Sequence, residues 1–428
     1  MTEATGQLSR RQTRPGTAGT IRLNWMVAGV FMLLLVMQAS SFLLQQQSLI
    51  SAPDTIRFSA CYVMAGFVGA LLALLKIARF TIWRVGRQVL PVWFSISFIM
   101  LLLVVVFRLP YSGVFLIITW PAALLLLVLL IQILQQPDKQ RFLLLPGAEI
   151  SHPALAEMAK PQMITEPKWP EQQIDAIITP YERPQSSDWA RFLTEAVATR
   201  IPIISDSHFV ELQTGRVLMN LSQETALMET AASHRYVMIK RILDILVAAF
   251  GLVLLAPLLL LVGIIIRLES PGPALFIQSR IGLGGKPFPM VKFRSMRREA
   301  DRDGASFAAR NDSRITGFGR FIRNTRIDEL PQLWNVLRGE MSLIGPRPEQ
   351  AALVDELASR IPYYSYRHMV RPGITGWAQV MQGYADDISS TDVKLSYDLF
   401  YIKRLSAVMD FIVVFKTIKT ILTGFGAR

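Results

Sequence analysis

The chain has 428 residues, 51% of them hydrophobic, and a formal net charge of +13 at pH 7. That length predicts more than one structural unit, and the apolar share is too high for an ordinary soluble domain. One cysteine, Cys61, excludes an intrachain disulfide framework and a cysteine-rich zinc site, and the four histidines form no HExxH pattern.

The first twenty residues are polar and basic, and the apolar stretch behind them is as long as a full membrane span. It therefore reads as a span rather than as a cleavable signal peptide. Four spans are predicted: Leu23–Leu44, Phe58–Leu75, Val89–Phe107 and Val114–Leu134. Pro91 and neighbouring serines dilute the start of the third. Arg10, Arg11, Arg14 and Arg22 precede the first span. Lys76, Arg79, Arg84 and Arg87 link the second and third, and Lys139 and Arg141 follow the fourth. The other two links carry one arginine each, Arg57 and Arg108. By the positive-inside rule both ends of this unit face the cytoplasm. Residues 1–22 are then a basic cytoplasmic tail and 23–138 a four-helix membrane domain.

Residues 139–235 read as a small α/β domain. Short apolar strands are expected at Arg141–Leu145, Ile174–Thr179 and Ile201–Ser205, with a helix capped by Ser187 running through Trp189, Phe192 and Val197. The alternation implies a parallel, Rossmann-like sheet. Gly147 stands alone after the first strand, so no dinucleotide fingerprint is present and a structural or regulatory role is favoured.

Ile245–Leu268 is long enough to cross a bilayer, yet Lys240 and Arg241 precede it and Arg267, Arg280, Lys286, Lys292, Arg294, Arg297 and Arg298 follow. Crossing would place the second basic cluster outside, against the orientation rule. Pro257 sits at the centre, where its missing N–H breaks the helical ladder. A re-entrant helix that enters one leaflet and turns back is expected over residues 245–268. A fifth, kinked span is the alternative.

Phe276 to Met296 reads as a hairpin turning at Gly284-Gly285, with Lys292 and Arg294 on the return strand. The glycines are taken as a turn rather than a phosphate cradle. Pro331, Leu333, Trp334 and Leu337 predict a helix beginning near Leu330. Asp328 and Glu329 fall at its start, where free N–H groups favour anions and should keep a carboxylate ionised. Alone, Asp328 would more often be a helix cap. Arg323 and Arg326 lie just upstream. Arg347 is held between Pro346 and Pro348, which suits two-point recognition of a diphosphate, or is a surface turn. Arg371–Val380 is expected as loop and strand near the site, with Trp377 facing lipid headgroups or buried. Asp386, Asp387 and Asp392 read as caps and surface charges. Val408–Leu422, with Lys416 and Lys419, fits a helix lying on a bilayer surface or packed against the preceding domain.

From about residue 236 onward these blocks resemble the bacterial sugar transferase family, the monotopic polyprenyl-phosphate phosphoglycosyltransferases. They are Lys240-Arg241…Asp244, the Pro-broken apolar helix, Val291-Lys-Phe-Arg-Ser-Met, Arg326-Ile-Asp-Glu-Leu-Pro-Gln-Leu-Trp-Asn-Val, Ser342-Leu-Ile-Gly-Pro-Arg-Pro and Arg371-Pro-Gly-Ile-Thr-Gly-Trp-Ala-Gln-Val. Four spans and a small α/β domain ahead of them resemble the larger members that start exopolysaccharide or O-antigen repeats. The resemblance implies a membrane α+β protein whose catalytic domain, residues 236–428, is anchored by the re-entrant helix at the cytoplasmic face of the bacterial inner membrane. It implies transfer of a sugar-1-phosphate from a UDP-sugar to undecaprenyl phosphate, with release of UMP. Glucose and galactose donors are favoured, and N-acetylated sugars stay open.

By the same resemblance Asp328 is the nucleophile, Glu329 helps hold Mg²⁺, and Lys292, Arg294, Arg323 and Arg347 are phosphate contacts. One departure is Ala256, where smaller members often carry a serine before the breaking Pro257. A hydroxyl there would bond a freed carbonyl. An inactive membrane-anchored regulator with the same fold is the rival reading. No nucleic-acid motif accompanies the positive charge, so no nucleic-acid partner is expected. A homodimer is left open.

Overall fold

The computed structural model describes residues 29–41, 53–80, 89–134, 141–150, 161–170, 174, 176–180, 186–199, 201–217, 234–296, 314–382 and 388–423. The basic tail 1–22, the links carrying Arg84, Arg87 and Lys139, and Arg297, Arg298, Asp386 and Asp387 lie outside them. The chain divides into two compact units, Met1–Thr214 and Gly215–Arg428.

In the first unit α1 covers Gly29–Ser41, α2 Pro53–Phe80, α3 Val89–Val106 and α4 Gly113–Leu134. Two stretches here are long and apolar enough to cross a membrane, Asp54–Leu74 and Gly113–Ile133, while Gly29–Ser41 and Val92–Val106 are shorter apolar helices. Polar groups inside this apolar bundle are paired, as a low-dielectric setting demands. Trp120 Nε1 donates to Ser97 Oγ at 2.7 Å, and Ser59 Oγ accepts from the Ser112 N–H at 2.8 Å.

The α/β segment of this unit holds a parallel sheet of order β2-β1-β3-β4. Its strands are β1 Phe142–Leu144, β2 Gln162–Met163, β3 Ala176–Thr179 and β4 Ile203–Ser205. Three strands fall where the apolar runs predict them. β2 has no apolar run to announce it, and both its residues are exposed. Helix α5, Ser187–Ala198, packs Phe192 and Ala196 against Leu143, Leu145 and Ile177. Its cap is Ser186 rather than Ser187, because the Ser186 side chain accepts the Trp189 N–H. α6, Asp206–Thr214, ends the unit.

The second unit begins before the long helix. The Val217 N–H donates to the Ser396 carbonyl at 3.0 Å, and the Gly215 carbonyl accepts from Trp377 Nε1 at 2.8 Å. Helix α7, His234–Glu269, then runs for 36 residues with Pro257 inside it. The sequence predicts a break there, whereas the helix runs on through it. A proline removes one ladder bond and kinks a helix without ending it when flanking residues are strong helix formers, as these leucines are.

Both halves of α7 pack on the same unit. Ala248 joins Phe288, Met290, Leu333, Val336 and Met341, and farther along Val262 and Ile266 join Phe293 and Ile322. Polar anchors flank that contact. Arg241 donates to the carbonyls of Val336 and Leu337, Asp244 accepts the Leu343 N–H, and Lys240 pairs with Asp410 at 2.7 Å. The opposite face, including Phe250, Val253, Leu254, Leu260, Leu261 and Leu268, is exposed and apolar up to Arg267 in the last turn. Such a contiguous patch marks a membrane or partner surface.

β5, Leu275–Ile281, and β6, Pro287–Phe293, form the expected antiparallel hairpin. Gly284 and Gly285 adopt φ of 64° and 75°, and a Cβ at either would meet open space, so left-handed backbone alone calls for glycine. Next come α8, Gly317–Asn324, α9, Gln332–Arg338, and β7, Ser342–Ile344. α10, Ala351–Arg360, is followed by β8, Gly373–Thr375, which pairs in parallel with β7. α11, Trp377–Met381, α12, Ile388–Lys403, and α13, Ala407–Thr423, complete the unit.

Trp377 is buried, stacked on Phe400 with Lys416 over its ring, so of the two readings the interior one holds. α13 is similarly divided: Met409 and Val413 are buried, while Val414 and Ile418 are exposed.

Candidate active site

Asp328 and Glu329 lie in a short 3-10 turn, Ile327–Glu329, ahead of α9, which starts at Gln332 with Pro331 as its cap. The helix thus starts close to the expected Leu330, whose carbonyl already accepts the Leu333 N–H, as that of Pro331 accepts the Trp334 N–H. The turn is set by Arg326, which is left-handed at φ 60°. A non-glycine residue in that region is strained by about 1–2 kcal/mol and persists only where surroundings fix it. Here the Arg326 guanidinium reaches back to Glu329 at 3.6 Å.

Both carboxylates are buried, at 9% and 8% exposure. Glu329 Oε1 receives Arg347 Nη2 at 2.9 Å. Burial opposes the ionisation of Glu329, but Arg347 and Arg326 outweigh it and hold the group below the usual carboxylate range. Asp328 is different. Burial, then the neighbouring Glu329 charge, pushes it up to about 6 against the pull of Lys292, Arg323 and Arg347. Its Oδ1 is buried without a hydrogen-bond partner. At Asp328 desolvation is the largest influence and works against the charged form that a helix start is expected to favour.

Lys292 comes from β6, opposite Phe276, whose ring its ammonium overlies at 5.0 Å. Burial, with Arg280, Arg347 and Arg323 nearby, lowers it to about 8, and Asp328 works in the opposite direction. Arg323, on α8, is aimed by Ser295, whose Oγ accepts from its Nε at 2.8 Å. α8 sits close to that strand end because Gly319 leaves room: a Cβ there would lie 2.1 Å from the Ser295 carbonyl. Asn335 of α9 braces β6 by accepting the Val291 N–H and donating to the Pro289 carbonyl.

The fold thus brings Asp328, Glu329, Lys292, Arg323 and Arg347 together. Arg294 points elsewhere: its guanidinium donates to the carbonyls of Ser270 and Pro271 and to Ser270 Oγ, tying the end of α7 to β6. Ala256 and Pro257 lie within α7, apart from the charged cluster. Sequence reasoning missed Ser295, Asn335 and the brace around Arg347. Polar residues inside the quoted motifs were the available signal.

For a divalent ion, the carboxylate pair is the relevant donor set. Among the described residues no cluster of three or more His, Cys, Asp or Glu side chains is suited to a metal. Magnesium is commonly held by one or two carboxylates plus substrate phosphates. The unpartnered Asp328 Oδ1 beside Glu329 fits that mode.

A buried carboxylate of raised pKa faced by several cations, on a unit bearing a long apolar face, is the kind of site that suits an anionic, phosphorylated group in a membrane-associated protein. Residues 235–424 match the family model described as bacterial sugar transferase. The chain is 42% identical over 325 residues to a UDP-N-acetylgalactosamine-undecaprenyl-phosphate N-acetylgalactosaminephosphotransferase of Aeromonas hydrophila, covering 75% of this chain and 76% of that protein. It is 42% identical over 239 residues to a UDP-glucose:undecaprenyl-phosphate glucose-1-phosphate transferase of Caulobacter vibrioides, covering 55% and 88%. A protein of the same description from Escherichia coli K12 is 40% identical over 202 residues, covering 47% and 44%. The chain belongs to the bacterial sugar transferase family.

Proposed function

We propose that this enzyme, a polyprenyl-phosphate phosphoglycosyltransferase, moves a sugar-1-phosphate from a UDP-sugar to undecaprenyl phosphate through an aspartyl intermediate. The observation that carries the reading is Asp328, buried, unpartnered at Oδ1 and faced by Lys292, Arg323 and Arg347. A carboxylate with an elevated pKa and little solvation is a stronger nucleophile than one in water, yet at about 6 it is still ionised at neutral pH.

In the first step an Asp328 oxygen bonds to the sugar-linked phosphorus. The bond from that phosphorus to the bridging oxygen breaks, and UMP leaves with the electron pair. In the second step a phosphate oxygen of the polyprenyl acceptor attacks the same phosphorus. The aspartyl oxygen departs, which restores the carboxylate and yields a polyprenyl diphosphate sugar. Lys292, Arg323 and Arg347 offset the charge on the phosphoryl oxygens, and Arg347 also keeps Glu329 ionised. Mg²⁺, when bound by Glu329 and Asp328 with the diphosphate, would supply further neutralisation of that charge.

α7 is read as a re-entrant anchor on the cytoplasmic side of the inner membrane. Both its halves pack on the catalytic unit, so a crossing helix would drag that unit into the bilayer. The relatives' names span N-acetylgalactosamine and glucose, and the donor here is taken from UDP-N-acetylgalactosamine, UDP-glucose and UDP-galactose. Incubating the purified protein with each labelled donor tests the scheme. A labelled sugar-phosphate adduct and UMP release are expected from the wild type. An adduct at full yield on Asp328→Asn would refute the nucleophile assignment.

A further inference from the structure

The stretch Pro346-Arg347-Pro348-Glu349 has each of its backbone carbonyls engaged from a different part of the fold. The Pro346 carbonyl accepts from the Gly373 N–H at 2.8 Å, and that of Glu349 from the Ile281 N–H at 2.9 Å. The Arg347 carbonyl accepts from Arg367 Nη2 at 2.9 Å, and that of Pro348 from Arg280 Nη1 at 3.1 Å. Two prolines fix φ on either side of Arg347. Behind the loop, Gly345 passes so close to the Arg371–Gly373 backbone that a Cβ would lie 2.4 Å from the Arg371 carbonyl. The segment is clamped, while the Arg347 side chain keeps 31% exposure and reaches Glu329.

Arg367 is the unusual member of the clamp. It is 3% exposed and lies in the 3-10 turn Tyr364–Met369. Its Nη2 serves both Asp398, at 2.9 Å, and the Arg347 carbonyl, and its Nη1 donates to the Tyr364 hydroxyl at 2.6 Å. A buried ion pair gives little net stability over an apolar pair of equal volume. A flat guanidinium, however, offers donors in fixed directions, which an ammonium on a flexible stem does not. Its geometry, rather than its charge, is what the Arg347 carbonyl uses.

We propose that Arg367, oriented by Asp398, is a positioning residue that fixes Arg347 for the donor diphosphate. This rests on the functional reading above. A misplacement near 1 Å at a phosphate contact is enough to cost about 10²-fold, so the brace bears directly on kcat/KM.

The test uses the full-length protein in detergent or nanodiscs, with UMP release followed against the concentration of whichever UDP-sugar the wild type turns over. Arg367→Lys and Asp398→Asn are each expected to lower kcat/KM by about 10–100-fold, mainly through a higher KM for the UDP-sugar. In an Arg347→Ala background either change is expected to alter kcat/KM by less than about threefold, because the residue it positions is gone. Should Arg367→Lys not fold, Tyr364→Phe, which removes only the partner of Nη1, is expected to lower kcat/KM by about threefold alone and not at all beside Arg347→Ala. Losses that multiply in the double variants, or single variants at wild-type KM and kcat, would overturn the proposal. A wild-type protein that releases UMP from no UDP-sugar overturns the functional reading and the proposal with it.

Discussion

Two charged clusters sit back to back in the catalytic unit. In the front one Asp328 has an unpartnered buried oxygen and is raised to about 6, and Lys292 is lowered to about 8. Both of these groups are pushed toward their neutral forms, chiefly by burial, while Arg347 and Arg326 keep neighbouring Glu329 charged. In the rear one burial also opposes ionisation of Glu349, but Lys394 at 2.7 Å and Arg367 at 3.8 Å hold it down at about 2. Arg367 and Asp398 close the same network at 2.9 Å. The rear cluster is paired and serves geometry. The front one leaves Asp328 Oδ1 unpaired in a buried place, a cost that the proposed phosphorylated substrate would relieve.

Removing a charge should therefore have opposite consequences for stability in the two places. The largest expected effect is at the front. Asp328→Asn should lower UMP release by about 10⁴-fold or more, since it deletes the proposed nucleophile. The same variant should be more stable at pH 7.5, by on the order of 2 kcal/mol. The sign follows from the raised pKa. The contribution of Asp328 to stability is fully present below its ordinary value of 3.8 and is lost as pH rises through about 6. Thermal unfolding at pH 7.5 and near pH 4 would check this, because the gain should shrink at the lower pH. An Asp328→Asn protein less stable than wild type at pH 7.5 would break the contrast.

At the rear, Asp398→Ala leaves Arg367 without its closest carboxylate in a dry site and should destabilise the fold by about 3–5 kcal/mol. Denaturant unfolding measures it. Gly345→Ala comes next. Its Cβ would meet the Arg371 carbonyl and the Gly373 N–H at 2.4 and 2.9 Å. Backbone has to shift on both sides of the Arg347 loop, at about 1–3 kcal/mol and with loss of activity.

A finer probe is pH. If turnover needs Asp328 ionised and Lys292 protonated, kcat/KM should rise through about pH 6 and fall through about pH 8. Glu329, Arg323 and Arg347 face both groups, so the limbs report the coupled cluster. A flat profile from pH 5 to 9 would show that neither group controls the rate. The smallest expected effect is Ala256→Ser, which supplies a hydroxyl beside Pro257, where the ring leaves a carbonyl without its helical partner, and should stabilise the protein by about 0.5–1 kcal/mol.

Much of this was legible in local pattern. The apolar runs of α2 and α4, the hairpin around Gly284-Gly285, and the α/β segment follow from periodicity and turn residues read along the chain. Asp328, Glu329 and Arg347 could be singled out because proline, arginine and acidic residues crowd into two short blocks. What failed was local inference about the field. Pro331 suggested that a helix end would favour the charged form of Asp328, but burial of the turn matters more. Arg294, two residues after Lys292, looked like a second phosphate contact and instead ties off α7. In an extended strand alternate residues share a face, yet Arg294 lies beyond β6, so that alternation does not extend to it.

Taken alone, the sequence determined which segments are apolar, where the chain turns and which side chains carry charge, because these are set by neighbours a few residues apart. Only the tertiary structure decided that Lys292 and Arg323 meet Asp328, that Arg367 and Asp398 stand behind Arg347, and that Trp377 is interior. Apart from Arg323 and Asp328, which are near neighbours in sequence, those pairings join residues tens to more than a hundred positions apart, and burial, which sets their ionisation, is a property of the assembled unit rather than of any stretch of chain.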